Sequence, residues 1–299
     1  MNLILTLLLA VNLAGGKEEL QLNLKQGETY SQHYTSFITL EQEINGMQQL
    51  IDMDVTGGMD FKVVEVTADG YVMTAHYTSL VMGMNMGQGE MTFSSEGDKE
   101  DIFSKVMKGM VGKDFDLTML KNGTISDIKN IDNIFNGVFE GMGLPEMQQQ
   151  QILSQLKQSY GEESFRGNIE MITAVFPNTP VKVGDSWTNI IALKSGMNAD
   201  MENEFTFSEK SDNLVTITGE STISTGENPE FTMANGNETR YLLNGTMQST
   251  YKLDTETNWI VEGKVTQNIK GKVEIKANQN MPNGLTMPMT MKTLMTIGQ

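Results

Sequence analysis

The sequence predicts an α+β fold: two related, curved antiparallel β-sheets, the product of an internal duplication, with a helical insertion between them. Three observations lead there. A seven-residue phrase occurs twice, as Leu24-Lys25-Gln26-Gly27-Glu28-Thr29-Tyr30 and as Val181-Lys182-Val183-Gly184-Asp185-Ser186-Trp187. Apolar, Lys, Gly, acid, hydroxyl and aromatic recur in one order, broken at Gln26/Val183. After each copy, apolar and polar residues alternate with the period of two that marks half-buried strands. Between these regions, residues 131 to 176 carry the one sustained helical periodicity.

Taken in order, residues 1–16 read as an export signal. Leu3 to Leu13 is almost wholly apolar and is followed by Ala14-Gly15-Gly16. The run has the length of a signal-peptide core and falls short of the ~20 residues that span a bilayer. Only Met1 and Asn2 precede it, so the α-amino group alone supplies the basic end. Residues 17–130 form the first β half. Leu20, Leu22 and Leu24 alternate with polar neighbours, and a strand runs from Tyr30 to Glu43. Asn45-Gly46 and Asp69-Gly70 are hairpin signals, because these residues tolerate positive φ. Gly57-Gly58 breaks or bulges the strand between them. Asp98 is a candidate cap for a short helix with Ile102, Val106 and Met110 on its apolar face. Lys121-Asn122-Gly123 turns a further hairpin.

Residues 131–180 are the helical insertion, with helices expected over Ile131 to Phe139, from Pro145 to Gly161, and over Glu162 to Val175. Pro177 and Pro180 stop the last one. Residues 181–276 are the second β half, with hairpins at Ser211-Asp212-Asn213 and Thr255-Glu256-Thr257. Residues 277–299 are a Met- and Pro-rich tail or a last strand, Thr286 to Thr296. In the repeated phrase, Gly27 and Gly184 permit a turn, Glu28 and Asp185 satisfy backbone donors, and Tyr30 and Trp187 anchor the first strand of each sheet.

Composition narrows the function. Net charge is −17, which disfavours nucleic acid and anionic membrane as partners. Cysteine is absent, so disulfides, thiolate nucleophiles and Cys-based metal sites are excluded. No later segment is apolar enough to be a transmembrane helix. The chain holds 24 Met against 12 Phe, 7 Tyr and 2 Trp.

The repeated Lys-x-Gly-acid-hydroxyl-aromatic phrase, the Met-studded early strands, and Tyr160-Gly161-Glu162-Glu163 leading through Phe176-Pro177 to Trp187 resemble a domain-of-unknown-function family of secreted proteins and lipoproteins from Bacteroidetes-type bacteria. The similarity spans roughly residues 20 to 276. It implies compartment and architecture, not mechanism. Many members look like lipoproteins, whereas here Gly16 stands where the lipobox requires Cys, so the chain as written is not lipidated. A curved sheet with an inserted helix more remotely resembles the periplasmic lipoprotein-carrier folds.

The catalytic inventory is thin. His33 and His76 both fall within expected strands, and no nucleophile elbow, P-loop or dinucleotide fingerprint is present. The unusual chemistry is thioether. Met82, Met84 and Met86 share one face of a strand, as do Met287, Met289 and Met291. Met is an adaptable filler of apolar grooves, and thioethers are also the ligands of a soft Cu(I) or Ag(I) site. The function expected is an exported, non-catalytic binding protein, periplasmic or outer-membrane-associated and monomeric. Its Met-lined concave face, with Met73, Met82, Met84 and Met86 as binding residues, holds an apolar lipid-like molecule or a segment of an envelope protein. No catalytic residue, cofactor or metal ligand is assigned. The alternatives are Cu(I)/Ag(I) handling and a carboxylate-based hydrolase.

Overall fold

The structure, a computed structural model, describes residues 16–44, 46–87, 89–193, 198–234, 236–279 and 281–298. The export signal expected over residues 1–16 therefore lies outside the described residues but for Gly16.

The first half of the chain gives β1 (Thr29–Ile44), β2 (Met47–Val66), β3 (Gly70–Asn85), β4 (Glu90–Ser94), β5 (Phe115–Leu120) and β6 (Ile125–Lys129). The second gives β7 (Ser186–Leu193), β8 (Ala199–Lys210), β9 (Leu214–Ser224), β10 (Thr232–Ala234), β11 (Asn237–Asp254), β12 (Ile260–Ile275) and β13 (Leu285–Gly298). All belong to one antiparallel 13-stranded sheet, ordered β6-β5-β3-β2-β1-β13-β12-β11-β9-β8-β7, with β4 on β3 and β10 on β11.

This corrects the expected α+β architecture of two sheets: the fold is mostly β and the sheet is single. The physical reason is β13. Its alternating Met287, Met289, Met291, Thr293, Met295 and Ile297 make it a strand, and it pairs with β1 on one side and β12 on the other. Without it both neighbours would be long open edges, templates for unwanted pairing.

The duplication survives inside the single sheet. The neighbours β7-β8-β9-β11-β12 repeat the order β1-β2-β3-β5-β6. The repeated phrase opens each set with the same hydrogen bonds. Gly27 N donates to Val63 O at 2.9 Å and Val63 N to Glu28 O at 3.0 Å, while Gly184 N donates to Phe207 O at 2.8 Å and Phe207 N to Asp185 O at 3.0 Å. Both glycines sit in the left-handed region, at φ +87° and +92°, which a side chain would strain.

Helices α1 (Ile102–Met110), α2 (Glu146–Tyr160) and α3 (Glu162–Thr173) follow. Asp101, not Asp98, caps α1, its carboxylate accepting from Ser104 N at 2.9 Å. The helix expected over 131–139 shortens to a 3-10 turn at Ile131–Phe135, because Gly137, Gly141 and Gly143 all take positive φ.

Helix α3 makes the sheet a roll. The end strands β6 and β7 do not pair, and both lie against α3. On the β6 side Glu170 accepts from Ile125 N at 2.7 Å and Thr173 Oγ1 donates to Gly123 O at 2.7 Å. On the β7 side Trp187 Nε1 donates to Val175 O at 3.1 Å and Asn189 Nδ2 to Ala174 O at 2.6 Å. From mid-sheet, the Tyr251 hydroxyl on β11 reaches Met171 O at 3.3 Å. The sheet therefore curls around α3 and buries one continuous core. Residues 18–24 close the lower end: Leu20, Leu22 and Leu24 are buried, Leu22 N donates to Lys121 O, Asn23 N to Thr257 O, and Glu18 bridges to Val181.

Candidate functional site

Side chains alternate across a strand, so the roll has an inner and an outer face of different chemistry. The register assigns Tyr34, Ser36, Ile38 and Leu40 of β1 to the inner face, opposite Gly57, Val55, Met53 and Ile51 of β2. The same face continues through Leu80, Met82 and Met84 of β3 and through Met291, Thr293 and Met295 of β13. Among the inward strand positions the one charge is Lys210, the last residue of β8, which is exposed at the lower end and paired with Glu18. The outer face carries the charge, for example Asp54, Glu202, Glu204, Glu220, Lys264 and Lys270.

The apolar inner face outruns its cover. In the lower part Met59, Phe61, Met73, Ala75, Phe205, Ile217 and Tyr251 are all buried. Helix α1 packs on β4 and β3, with Phe93 against Phe103 at 5.1 Å between ring centroids. Towards the upper ends of β1, β2, β3, β4 and β13, Ile38, Leu40, Ile51, Met53, Met84, Met289 and Met291 are half-buried and Met91 is exposed. Met53, Met84 and Met91 stand directly opposite one another on three adjacent strands, at the ~5 Å Cβ spacing of cross-strand neighbours.

The four methionines expected to line a site divide. Met82 and Met84 lie in this inner field; Met86 lies beyond the end of β3 and is 48% exposed; Met73 is fully buried below it, part of the closed core. The second Met triplet, Met287, Met289 and Met291, lies on the same inner face, but β13 is three strand spacings from β3. At ~4.8 Å per spacing the triplets are ~14 Å apart, so they cannot close on one ion through metal–sulfur bonds of ~2.3 Å.

Sequence reading missed Ile38, Ile51, Met53 and Met91, and the three tyrosines at the inner end of the field. Tyr77 and Tyr160 meet edge to face at 6.0 Å between centroids. The Tyr34 ring lies across Gly57, where an added Cβ would come within 2.4 Å of its Cζ and Oη. Burial pushes all three phenols above their ordinary range; for Tyr34 and Tyr77 the neighbouring tyrosines push further. The signal available was the alternation Tyr34-Ser36-Ile38-Leu40, with the turn at Gly46 fixing which residues of β2 stand opposite.

The remaining candidates lie outside the roll. His33 is exposed, and His76 Nδ1 sits 3.1 Å from the carboxylate of Asp114 on the outer surface. A groove of about 790 Å³ crosses the outer face of β7 to β12, lined by Thr188, Glu202, Glu204, Glu220, Thr246 and Asn268 among others. Glu204 and Glu220 face each other across β8 and β9, and both are open to solvent. Nothing there desolvates one carboxylate relative to the other, as paired acid–base chemistry requires. Among the described residues no group of His, Cys, Asp and Glu could hold a metal ion.

Comparison with solved structures finds distant likenesses. The lipovitellin chain in a structure described as lipid–protein interactions in lipovitellin aligns over 92% of this chain at 8% identity and a TM-score of 0.47. This chain spans 25% of the lipovitellin chain. An outer membrane channel from Pseudomonas putida F1 aligns over 93% of this chain and 97% of its own, at 8% identity and a TM-score of 0.23. Spanning barrels turn an apolar band outward and polar residues inward; here the distribution is the reverse. No helix among the described residues is long and apolar enough to cross a membrane. No curated protein matches the sequence. Residues 68–260 match a family of unknown function, DUF6263, and the chain belongs to that family.

Proposed function

We propose that this member of the DUF6263 family is a non-catalytic binding protein that holds an apolar, lipid-like ligand against the upper inner face of its rolled sheet. The observation that carries the reading is that this face keeps its uncharged, apolar composition beyond the point where helices and the N-terminal segment cover it. Apolar surface removed from water is worth ~25 cal/mol per Å², so a ligand laid along Ile38, Leu40, Met53 and Met84 supplies the missing cover. Methionine suits the task because its unbranched thioether repacks around ligands of differing shape. Placement in the bacterial envelope after export belongs to the same proposal: export rests on the apolar run from Leu3 to Leu13, and a Bacteroidetes-type source rests on the sequence resemblance alone. A segment of an envelope protein is the competing occupant.

The test is a titration of delipidated protein with a fluorescent acyl-chain probe, repeated with Met84→Glu. A charge on the otherwise uncharged field should abolish uptake while the far-ultraviolet spectrum and the melting temperature stay close to wild type. Equal uptake by the two proteins removes the reading. A second reading, Cu(I) or Ag(I) handling, attaches to the opposed thioethers of Met53, Met84 and Met91. It gains if Cu(I) binds tightly at one equivalent, if Met84→Ala removes that binding, and if no acyl probe is taken up.

A further inference from the structure

The inner field ends, on its covered side, at three phenol hydroxyls with nothing to bond. Tyr34 on β1, Tyr77 on β3 and Tyr160 at the end of α2 converge there, and their hydroxyls make no hydrogen bond within the described residues. They are not among the buried polar atoms sealed without a partner, which in the described residues are Thr78 Oγ1 and Ser249 Oγ. Each hydroxyl therefore retains contact with solvent-sized space. By contrast, two fully buried tyrosines are satisfied: Tyr71 donates to Leu22 O at 2.8 Å and Tyr251 to Met171 O at 3.3 Å. Gly57 makes the arrangement possible, since any side chain there would displace the Tyr34 ring.

Unspent donors at the end of an apolar field call for an acceptor on the ligand. The chemistry of that acceptor is set by what surrounds it. The inward sheet positions around the field offer no cation to match a carboxylate or a phosphate, since the one inward charge, Lys210, lies at the lower end and is paired with Glu18, and a buried anion without a partner is costly. We infer that the ligand is a neutral long-chain acyl ester, whose carbonyl and hydroxyl groups meet Tyr34, Tyr77 and Tyr160 while its chain lies along the methionine rows. This deepens the lipid reading above and rests on it.

The experiment compares three oleoyl compounds on the full chain, monoolein, oleate and oleoyl-lysophosphatidylglycerol, with 1-octadecene as a headless control. Each is measured by displacement of the acyl probe. Monoolein should bind at least tenfold more tightly than either anion. Tyr34→Phe/Tyr77→Phe, which keeps both rings, should weaken monoolein about tenfold and leave octadecene unchanged. Anions binding as tightly as monoolein overturn the inference and leave the lipid reading standing, as does a double variant that binds monoolein undiminished. Failure of all four compounds, octadecene included, overturns both. The wild-type comparison of head groups decides the inference even if the double variant does not fold.

Discussion

Replacing Gly57 by alanine tests the packing on which the tyrosine cluster depends. Gly57 lies within β2 and its φ is not in the left-handed region, so the backbone accepts alanine. The obstacle is the neighbour: the new Cβ would stand 2.4 Å from Tyr34 Cζ and Oη and 2.7 Å from Cε1. Carbon atoms in contact prefer ~3.5–4.0 Å, so the ring must retreat by more than 1 Å. Overpacking of this kind costs ~1–3 kcal/mol. In a Tyr34→Ala background the obstacle is gone, and glycine to alanine within a strand should be neutral or stabilising by ~0.5–1 kcal/mol. The two substitutions should therefore couple by ~2–3 kcal/mol. Urea unfolding of the four proteins, followed by the fluorescence of Trp187 and Trp259, measures this directly. A coupling below ~0.5 kcal/mol, the level expected of independent sites, would mean that the Tyr34 ring does not lie over Gly57. The placement of its hydroxyl would fall with it.

Gly123→Ala should destabilise strongly, by ~3 kcal/mol or more, because Gly123 has φ +84° and a Cβ there would sit 1.8 Å from Thr173 O, where α3 seals the turn between β5 and β6; thermal unfolding checks it. Hydrogen exchange should release the amides of β6 and β7 well before those of β1 and β13, since the outer sides of the end strands are held by α3 through side chains, not by a ladder. Asp254 accepts from the Thr257 hydroxyl at 2.7 Å and from the amides of Thr257 and Glu256 at 2.9 and 3.1 Å, and the Thr257 hydroxyl chiefly holds its carboxyl below its ordinary value of 3.8. A depressed folded value stabilises above the unfolded one and is lost as pH falls through it, so Asp254→Asn should be less stable than wild type by ~1 kcal/mol or less above about pH 5, with the difference closing towards about pH 2; urea midpoints across that range measure it.

Local elements were legible because local physics sets them. The turns at Gly46, Asp69-Gly70 and Asn122-Gly123 and the alternation of β1 and β12 depend on a few adjacent residues, Asn45 itself lying outside the described residues. What could not be read was the partner of the tail. Alternation at Met287 to Met295 says that β13 is a strand and says nothing of whether its neighbours are β1, β12 or both. That choice is made by two edges more than 200 residues apart in sequence, and it converts two sheets into one. The helix expected to reach Phe139 failed for a nearer reason: its apolar spacing was right, but Gly137, Gly141 and Gly143 were available for positive φ and took it.

The same distinction explains the site. Met82 and Met84 were visible as a period-two pair on one strand. Met53, Met91, Tyr34 and Tyr160 join them only through register and through the docking of α2, neither of which leaves a mark in local sequence. The duplicated phrase is instructive because it is conspicuous and yet lies at the opposite end of the strands from the methionine field. Its glycines shape the lower turns, and Tyr30 packs on the buried Trp259 at 5.4 Å between centroids. A duplicated half-roll has two junctions to fill. One is filled by β13, with a continuous ladder on each side; the other by α3, with side-chain contacts to β6 and β7. The strand at the first junction extends the inner face upward past the helices, and it is this excess of uncharged sheet over helix that leaves the uncovered apolar surface on which the proposed ligand would lie.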